Sequence, residues 1–432
     1  MEFCLTLKNI FKLAFSVFII LTFLFQGQVS QPTIAQQDSG FQQIDLGSGY
    51  KSNEITFATK FYNSTLVSNY TQVVTDWNSN FGNKTDLSSS ISSDSIRSSR
   101  VITIFGSTTE ASTTDVDSIR GALGEGKGLL YLANSDNTST SAENFFKNLF
   151  GAEVVNFTTS EVLGSTYSGT THYVVATQFN SPTTPVTENI TKLVLPHTIG
   201  ITVNRTAMSE SNVSIRDIYP IIYDSTTQKA LGLAVEVGTF GRIIILGSTE
   251  IFSNEFYLPN GTYTNMAGIN NQQFATNVMN WLGRGSGYFH MLGYKVNVGN
   301  LQYIKRGFVV NASATLTDEN NNTFTNAEVQ FQIELTNYIV DYNYMQYQGN
   351  NSYFGAISTR NAKPGYYDEI HIQIVKRGYI LQTFALTRVY VELEFTGPSL
   401  PDWTMIAILG AGIIIFALSG FYLWKEFRKI NY

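Results

Sequence analysis

The sequence predicts an α/β domain, with a mostly parallel sheet and covering helices, followed by an all-β sandwich and one transmembrane helix. Three observations lead to this prediction. Apolar runs of strand length alternate with helical patterns up to about residue 284, apolar residues then recur at every second position to about residue 396, and residues 404–424 carry no charge. Only 14% of the 432 residues are charged, against about 25% in a typical soluble domain. The low charge indicates membrane segments and an uncharged polar surface.

The composition excludes several classes of protein. With 30 Phe and 24 Tyr, the chain has too much buriable surface for a disordered protein. The formal net charge of −6 argues against a nucleic-acid partner, because phosphate binding requires clustered Lys and Arg. The single cysteine, Cys4, lies in the predicted leader. We therefore expect the mature protein to have no disulfide, no thiolate metal ligand and no cysteine nucleophile.

Residues 1–35 are predicted to form a secretory signal peptide. Lys8 and Lys12 precede an uncharged run at residues 13–25, and small residues follow up to Ala35. The uncharged run is too short to span about 30 Å of hydrocarbon. An uncleaved membrane anchor is the alternative interpretation.

Residues 50–284 are predicted to form the α/β domain. The strands are expected at 55–58, 101–105, 129–132 and 242–246, with a Ser-rich loop at 88–99. Apolar residues at helical spacing predict helices between the strands, and Thr140 with Glu143 predicts a capping box at the start of one of them. The residues that indicate the helical faces are Tyr62, Leu66, Tyr70, Val73, Val74, Trp77 and Phe81, then Val116, Ile119 and Leu123, then Phe145, Phe146, Leu149 and Phe150, and last Phe274, Val278, Trp281 and Leu282.

Residues 289–396 are predicted to form a membrane-proximal β-sandwich. Strands with period-two alternation are expected at 308–316, 327–335, 340–347, 352–357, 370–375 and 379–393. Turns rich in Asn, Gly or Pro separate them, as at 319–322 and 364–365. Short strands at this spacing are typical of a sandwich.

The uncharged stretch 404–424 is predicted to be the transmembrane helix. Trp403, Tyr422 and Trp424 lie at its ends, where aromatic rings favour the membrane interface, and the basic tail 425–432 is expected in the cytoplasm. This topology predicts a single-pass membrane protein with its ectodomain in the lumen or outside the cell. Small residues on the span allow close helix approach and are candidates for helix docking. They are Ala407, Gly410, Ala411, Ala417 and Gly420.

Twelve N-x-S/T sequons lie in the predicted ectodomain and agree with this topology. The candidate N-glycosylation sites are Asn63, Asn69, Asn83, Asn137, Asn156, Asn189, Asn204, Asn212, Asn260, Asn311, Asn321 and Asn350.

The motifs indicate no catalytic, cofactor-binding or metal-binding residue. The string 121–128 resembles a phosphate loop, but Gly128 occupies the position of the magnesium-binding Ser or Thr, and the string leaves a helix instead of opening one. The four histidines lack the H-x-H or H-x-x-x-H spacing of a metal site. Glu250 and Glu255 have no recognisable partner. We therefore predict a non-catalytic protein without a cofactor.

Several strings together match the pattern of a known family. The strongest is 241–257, GRIIILGSTEIFSNEFY, which precedes a helix ending in Asn280-Trp281. Residues 117–134, 145–154 and 366–392, the last containing KRGY at 376–379, match in the same order. In these features the sequence resembles the family of the 48 kDa subunit of oligosaccharyltransferase (dolichyl-diphosphooligosaccharide–protein glycosyltransferase). An archaeal homologue of that subunit is one form that the resemblance allows.

The resemblance implies a scaffold role in protein N-glycosylation. Within that family a separate multi-span subunit transfers the glycan, so the expected partners are that catalytic subunit, other small membrane subunits and the membrane. Eukaryotic members carry a di-lysine retrieval signal with Lys at the third position from the end, where this chain has Ile430. The implied location is the endoplasmic reticulum for a eukaryotic protein and the cell membrane for an archaeal one.

Two other functions remain as alternatives. The first is a cell-surface or ABC-transporter auxiliary module of the gliding-motility type, built on the same α/β domain. The second is an ectoenzyme whose site is assembled in space, for which His197 and Glu250 are the residues to test.

Overall fold

The computed structural model describes residues 54–61, 68–81, 84–106, 109–133, 138–164, 172–180, 183–257, 268–298, 303–324, 327–335, 338–392, 413, 416–425 and 428. All of them belong to one unit, Ser48–Tyr432. The predicted signal peptide and the linker into the predicted span lie outside the described residues.

Ten strands from residues 54–246 form one mixed sheet, and two further strands, β6 and β8, form a separate antiparallel ribbon. The order in the sheet is β2-β1-β3-β4-β12-β11-β10-β7, with β9 beside β11 and β5 beside β9. The strands are β1 (Glu54–Phe57), β2 (Lys84–Asp86), β3 (Ser99–Phe105), β4 (Gly128–Leu132), β5 (Val155–Glu161), β6 (Tyr173–Ala176), β7 (Gln178–Phe179), β8 (Leu193–Pro196), β9 (Ile199–Val203), β10 (Ile215–Tyr223), β11 (Ala230–Val237) and β12 (Gly241–Leu246).

The expectation of a mostly parallel sheet was wrong for half of this sheet. Pairing is parallel from β2 through β12, where helices connect the strands, and antiparallel from β12 through β11 and β10 to β7. Residues 224–229 connect β10 to β11, and residues 238–240 connect β11 to β12. A parallel crossover needs a dozen or more residues, so these short turns require antiparallel neighbours. The predicted strands at 55–58, 101–105, 129–132 and 242–246 are confirmed to within two residues at their ends.

Helices cover both faces of the sheet. Alternate side chains of β3, β4 and β12 point to opposite faces, so α2 and α3 pack on one hydrophobic cluster and α1, α4 and α5 on the other. The helices are α1 (Thr71–Phe81), α2 (Thr113–Gly124), α3 (Thr138–Phe150), α4 (Asn254–Tyr257) and α5 (Asn271–Leu282).

A capping box starts α2, whereas the one predicted for α3 does not form. Ser112 and Asp115 form a capping box at α2, because each side chain accepts from the backbone N–H of the other residue. The predicted capping box of Thr140 and Glu143 was wrong, since α3 already begins at Thr138. Glu143 instead accepts a hydrogen bond of 3.0 Å from the backbone N–H of Phe157 in β5.

Nine strands of the later part of the chain form two sheets around a common hydrophobic cluster. One sheet has the order β13-β15-β19-β18 and the other β14-β21-β20-β16-β17. Each of the six strands predicted from period-two alternation overlaps an observed strand. The predicted strand 340–347 is divided at Met345 into β17 and β18, which belong to different sheets. The strands are β13 (Phe289–Val296), β14 (Tyr303–Ile304), β15 (Val309–Asp318), β16 (Glu328–Leu335), β17 (Tyr338–Tyr344), β18 (Gln346–Gly349), β19 (Ser352–Ser358), β20 (Tyr367–Val375) and β21 (Gln382–Val391).

The predicted span 404–424 is described only at Ile413 and from Phe416 onwards. These residues are helical and exposed. Within the described part of the chain, no helix combines the length and the apolar character needed to cross a membrane.

Candidate functional site

The turn between β20 and β21, residues 376–379, contacts both α5 and the ten-stranded sheet. Gly378 has a φ of +83°, and a Cβ there would lie 2.8 Å from Cβ of Thr184. Trp281 Nε1 at the end of α5 donates a 2.6 Å hydrogen bond to Gly378 O, and Gly378 N donates one of 2.6 Å to Oε1 of Glu236 in β11. Both backbone groups of one residue thus bind side chains of α5 and the ten-stranded sheet. The close approach and the positive φ together favour glycine.

Glu236 is a buried carboxylate, 2% exposed, that is held by polar groups on several sides. Arg216 forms an ion pair with its Oε2, and the hydroxyl of Tyr219 donates to its Oε1 at 3.2 Å. Burial raises the pKa of Glu236, and the charge of Arg216 and the N–H of Gly378 oppose that rise. Arg216 also donates from Nη2 to Tyr379 O at 2.7 Å, so the ion pair extends into the turn.

Arg242 is a second buried charge and binds only carbonyl oxygens among its hydrogen-bond partners in the described structure. Its Nη1 donates to Trp281 O at 2.6 Å and to Ser286 O at 2.8 Å, and its Nη2 donates to Gly287 O at 2.9 Å. The guanidinium lies over the Trp281 ring, 4.7 Å from the centroid. Burial lowers the pKa of Arg242 to about 10, so it remains charged at neutral pH. One cation therefore holds the end of α5 and the linker into β13.

Arg377 connects the same turn to β10 through partly exposed side chains. Its Nε donates to Asp217 Oδ2 at 2.7 Å, and its guanidinium lies 5.0 Å from the ring centroid of Tyr219. Burial opposes a rise in the pKa of Arg377, but the hydrogen bond and charge of Asp217 outweigh it and raise that pKa.

Groups of α5, β10 and β11 therefore bind the turn at three consecutive residues, 377, 378 and 379. We call this contact the joint. It consists of the turn 376–379 with Arg216, Asp217, Tyr219, Glu236, Arg242, Trp281 and Gly287.

The joint brings together residues from three strings that carry the family resemblance. Arg242 belongs to the first string, Trp281 ends the helix after it, and residues 376–379 are the KRGY of the last. In the sequence these strings are separate markers, and no contact between them was predicted. The arrangement binds backbone groups and buried charges to one another, and so connects α5 and the mixed sheet to the two later sheets.

The string 121–128 has a structural use. Residues 113–124 form α2, Glu125 follows as the C-cap, and the chain then enters β4. Lys127 is buried and its Nζ donates to Ile96 O at 2.7 Å and to Arg97 O at 3.0 Å. The interpretation of this string as a helix end is confirmed.

Two of the four histidines lie side by side with a carboxylate. His172 Nδ1 is 2.8 Å from Glu161 Oε2, and His197 Nδ1 is 3.0 Å from Glu161 Oε1. The imidazole rings are stacked, with centroids 5.4 Å apart and an interplanar angle of 28°. The sequence predicted no metal-binding residue, because the spacing of these residues matches no motif. Only the pairing of β6 with β8 and of β5 with β9 brings them together.

The other residues singled out from the sequence lie apart from one another. Glu250 opens a short 3-10 turn, Glu250–Phe252, and Glu255 lies in α4. His290 is on β13, with its ring 5.2 Å from that of Tyr288. His371 on β20 lies between two carboxylates, 3.1 Å from Glu334 and 3.1 Å from Glu369.

The described sequons differ in exposure. Asn156 and Asn311 are half-buried within strands, whereas the side chains of six others are exposed. The exposed ones are Asn69, Asn189, Asn204, Asn212, Asn321 and Asn350. Asn63, Asn83, Asn137 and Asn260 lie outside the described residues. Of the candidate docking residues, Ala417 and Gly420 lie in the exposed helix 416–425, and Ala407, Gly410 and Ala411 lie outside the described part.

No protein-family model matches the sequence, and no curated protein matches it. Several solved structures align with parts of the chain. The mmIFT52 N-terminal domain covers 53% of this chain and 96% of its own, at 12% identity and a TM-score of 0.41. A ThuA-like protein from Parabacteroides merdae covers 54% and 89%, at 12% identity and a TM-score of 0.33. A DUF4785 family protein from Legionella pneumophila covers 23% and 28%, at 11% identity and a TM-score of 0.17. Similarities this weak carry no argument about function.

Proposed function

We propose that this protein is a non-catalytic scaffold subunit of a membrane oligosaccharyltransferase complex that acts in protein N-glycosylation. Its ectodomain faces the lumen or the exterior, it is anchored by the span 404–424, and it needs no cofactor. Its partners are a multi-span catalytic subunit and small membrane subunits.

The joint is the observation that carries this proposal. A scaffold must hold its outer part at a defined position relative to the part nearest the membrane. Both backbone groups of Gly378 are satisfied when the turn 376–379 rests on α5 and β11, and Gly378 N is one of the donors to the buried carboxylate of Glu236. The buried charge of Arg242 joins the end of α5 to the linker into β13. Leaving a buried charge without its partners costs several kcal/mol, about 3–5 in measured cases. This energy supports a stable connection, and three of the residues that supply it, Arg242, Trp281 and Gly378, belong to the strings that resemble the scaffold family.

Purification of the full-length protein from its native membrane in a mild detergent tests the proposal. We expect a multi-span membrane protein with glycan-transferase activity to co-purify in constant ratio. Recovery of the protein as a monomer under conditions that preserve other membrane complexes would overturn it. Recovery with an ATPase and its permease would replace it with the transporter-auxiliary function.

A pair of tryptophan variants tests whether the joint is what the complex needs. Trp281→Phe removes the donor to Gly378 O and keeps most of the buried ring. Trp77→Phe is the matched control, because Trp77 is equally buried in the same cluster and its Nε1 has no hydrogen-bond partner in the described structure. We expect Trp281→Phe to reduce the co-purified catalytic subunit several-fold at equal protein level, and Trp77→Phe to leave it unchanged. Equal losses in both variants would mean that the complex does not depend on the joint.

A further inference from the structure

We propose that Glu161, His172 and His197 bind one zinc ion, at a site that goes beyond the scaffold function and does not depend on it. Each residue offers one ligand atom, and these three atoms lie within 4.8 Å of one another. The closest approaches are 2.8 Å and 3.0 Å, from the two Nδ1 atoms to the two carboxylate oxygens. In a tetrahedral zinc site with bonds of about 2.0–2.1 Å, neighbouring ligand atoms are about 3.3 Å apart. The two closest approaches lie within about 0.5 Å of that separation, and the bound of 4.8 Å leaves an adjustment of at most about 1.5 Å between any two ligand atoms.

The backbone brings the three ligands to one place before any metal binds. β6 and β8 pair with Tyr173 opposite Pro196, so that His172 and His197 flank the same end of the ribbon. His197 N donates a 2.9 Å hydrogen bond to His172 O, which continues this pairing by one step. Glu161, the last residue of β5, pairs with Ile199, two residues after His197. The ligands therefore come from two paired segments, and binding would require little ordering of the chain.

His197 has a positive φ of 44°, which is uncommon for a residue other than glycine and costs of the order of 1 kcal/mol or more. Strained residues of this kind cluster at sites that bind ligands. The Tyr173 ring lies nearly perpendicular to the imidazole of His197, at an interplanar angle of 88° with the centroids 6.1 Å apart.

The donor set selects the class of metal. Two imidazoles and one carboxylate are borderline nitrogen and oxygen ligands, which suit Zn²⁺, whereas Mg²⁺ and Ca²⁺ prefer sites made of oxygen atoms alone. The side chains are accessible, with 16% of Glu161, 51% of His172 and 41% of His197 exposed, so an ion can enter from solvent. Three protein ligands would leave a fourth position for water or for a group on a partner.

Isothermal titration of the metal-stripped full-length protein with ZnCl₂ tests this site, using a purification tag without histidine. We expect one Zn²⁺ per chain with a dissociation constant in the micromolar range or tighter, no response to MgCl₂, and a tetrahedral Co²⁺ absorption spectrum when CoCl₂ replaces zinc. Absence of stoichiometric Zn²⁺ binding would overturn the proposal and leave Glu161 as a carboxylate that lies between two histidine side chains.

Variants then locate the ion. Glu161→Gln and His172→Ala should each weaken Zn²⁺ binding at least tenfold. His197→Gly should have the same effect on Zn²⁺ binding, and the chain should stay folded because glycine adopts a positive φ without strain. His290→Ala is the matched control and should bind Zn²⁺ like the unchanged protein. Circular dichroism without metal checks the fold of each variant. Zinc binding retained by a folded variant that lacks both His172 and His197 would also overturn the proposal, and none of these outcomes bears on the scaffold function.

Discussion

At the scale of single residues, Asp368 is an ionisable group on the core-facing side of β20. It lies on the same face of the strand as Ile370 and Ile372, and it is fully buried. Neither carboxylate oxygen has a hydrogen-bond partner in the described structure. Burial raises the pKa of Asp368 from 3.8 to about 6.

This raised pKa predicts how stability depends on pH. The folded chain holds the Asp368 proton more tightly than the unfolded chain, so ionisation of this carboxyl destabilises the folded state. Below about pH 4 both states are protonated and stability is not reduced. Above about pH 6 both states are ionised and the loss of stability is complete. We expect Asp368→Asn to stabilise the protein more at pH 7.5 than at pH 4.5, by about 1–3 kcal/mol. Urea unfolding of both proteins at the two pH values measures this difference.

Asp94→Asn serves as the control for this pH comparison. Asp94 lies exposed in the loop before β3, and its replacement should change the free energy of unfolding by less than about 0.5 kcal/mol at both pH values. If the effect of Asp368→Asn were the same at both pH values, the carboxylate would titrate normally in the folded protein, and burial would not penalise its charge.

At the scale of elements, the turn between β20 and β21 has a steric requirement that its neighbours impose. Gly378 and Gly307 both have a φ of +83°, but a Cβ at Gly378 would lie 2.8 Å from Thr184, whereas a Cβ at Gly307 would have no atom within 4 Å. The two glycines therefore separate the cost of backbone strain from the cost of the close contact.

The substitutions Gly378→Ala and Gly307→Ala test this separation. A left-handed φ costs an L-residue about 1–2 kcal/mol, so Gly307→Ala should reduce the free energy of unfolding by that amount. We expect Gly378→Ala to cost at least about 2 kcal/mol more, because the turn must also move away from Thr184 and weaken its bonds to Glu236 and Trp281. Denaturant unfolding of both variants provides the comparison. Equal losses would mean that the turn adapts to the added Cβ without weakening those bonds.

At the scale of the whole molecule, we expect the joint to couple the unfolding of the mixed sheet to that of the two later sheets. Arg242 satisfies three carbonyl oxygens in α5 and the linker, and Trp281 connects α5 to Gly378. We therefore expect the two parts to unfold in one cooperative transition, with coincident signals from different probes.

Replacement of Arg242 should break that cooperativity. Arg242→Met keeps the packing of the side-chain stem over Trp281 but leaves the three carbonyl oxygens without this donor, so we expect a loss of about 3–5 kcal/mol and two resolved transitions in place of one. Arg388→Met is the control, because Arg388 is 70% exposed and pairs with Glu369 at the surface, where an ion pair contributes about 1 kcal/mol or less.

Tryptophan fluorescence and far-ultraviolet circular dichroism, recorded on the same samples, distinguish one transition from two. The two signals should coincide for the unchanged protein and for Arg388→Met, and diverge for Arg242→Met. Coincident transitions in Arg242→Met would show that another contact couples the parts.

Much of the fold follows from local pattern. Runs such as 129–132 and 243–246, whose side chains are all apolar or aromatic, predicted the central strands of the mixed sheet, and period-two alternation located most strands of the later sheets. Where pattern failed, the reason is physical. Antiparallel pairing of β10 to β12 depends on the length of the turns between them, and the division of 340–347 at Met345 depends on which sheet each half joins.

The sequence by itself determined the quantities that depend only on composition and short-range order. These are the single cysteine, the low charge, the alternation of strands and helices, and the change of period near residue 289. Only the tertiary structure decided which distant groups meet, because hydrophobic periodicity carries no information on contacts between residues far apart in the chain. Trp281 and Gly378 are 97 residues apart and share a hydrogen bond. Glu161, His172 and His197 match no motif, and the pairing of four strands alone makes them neighbours.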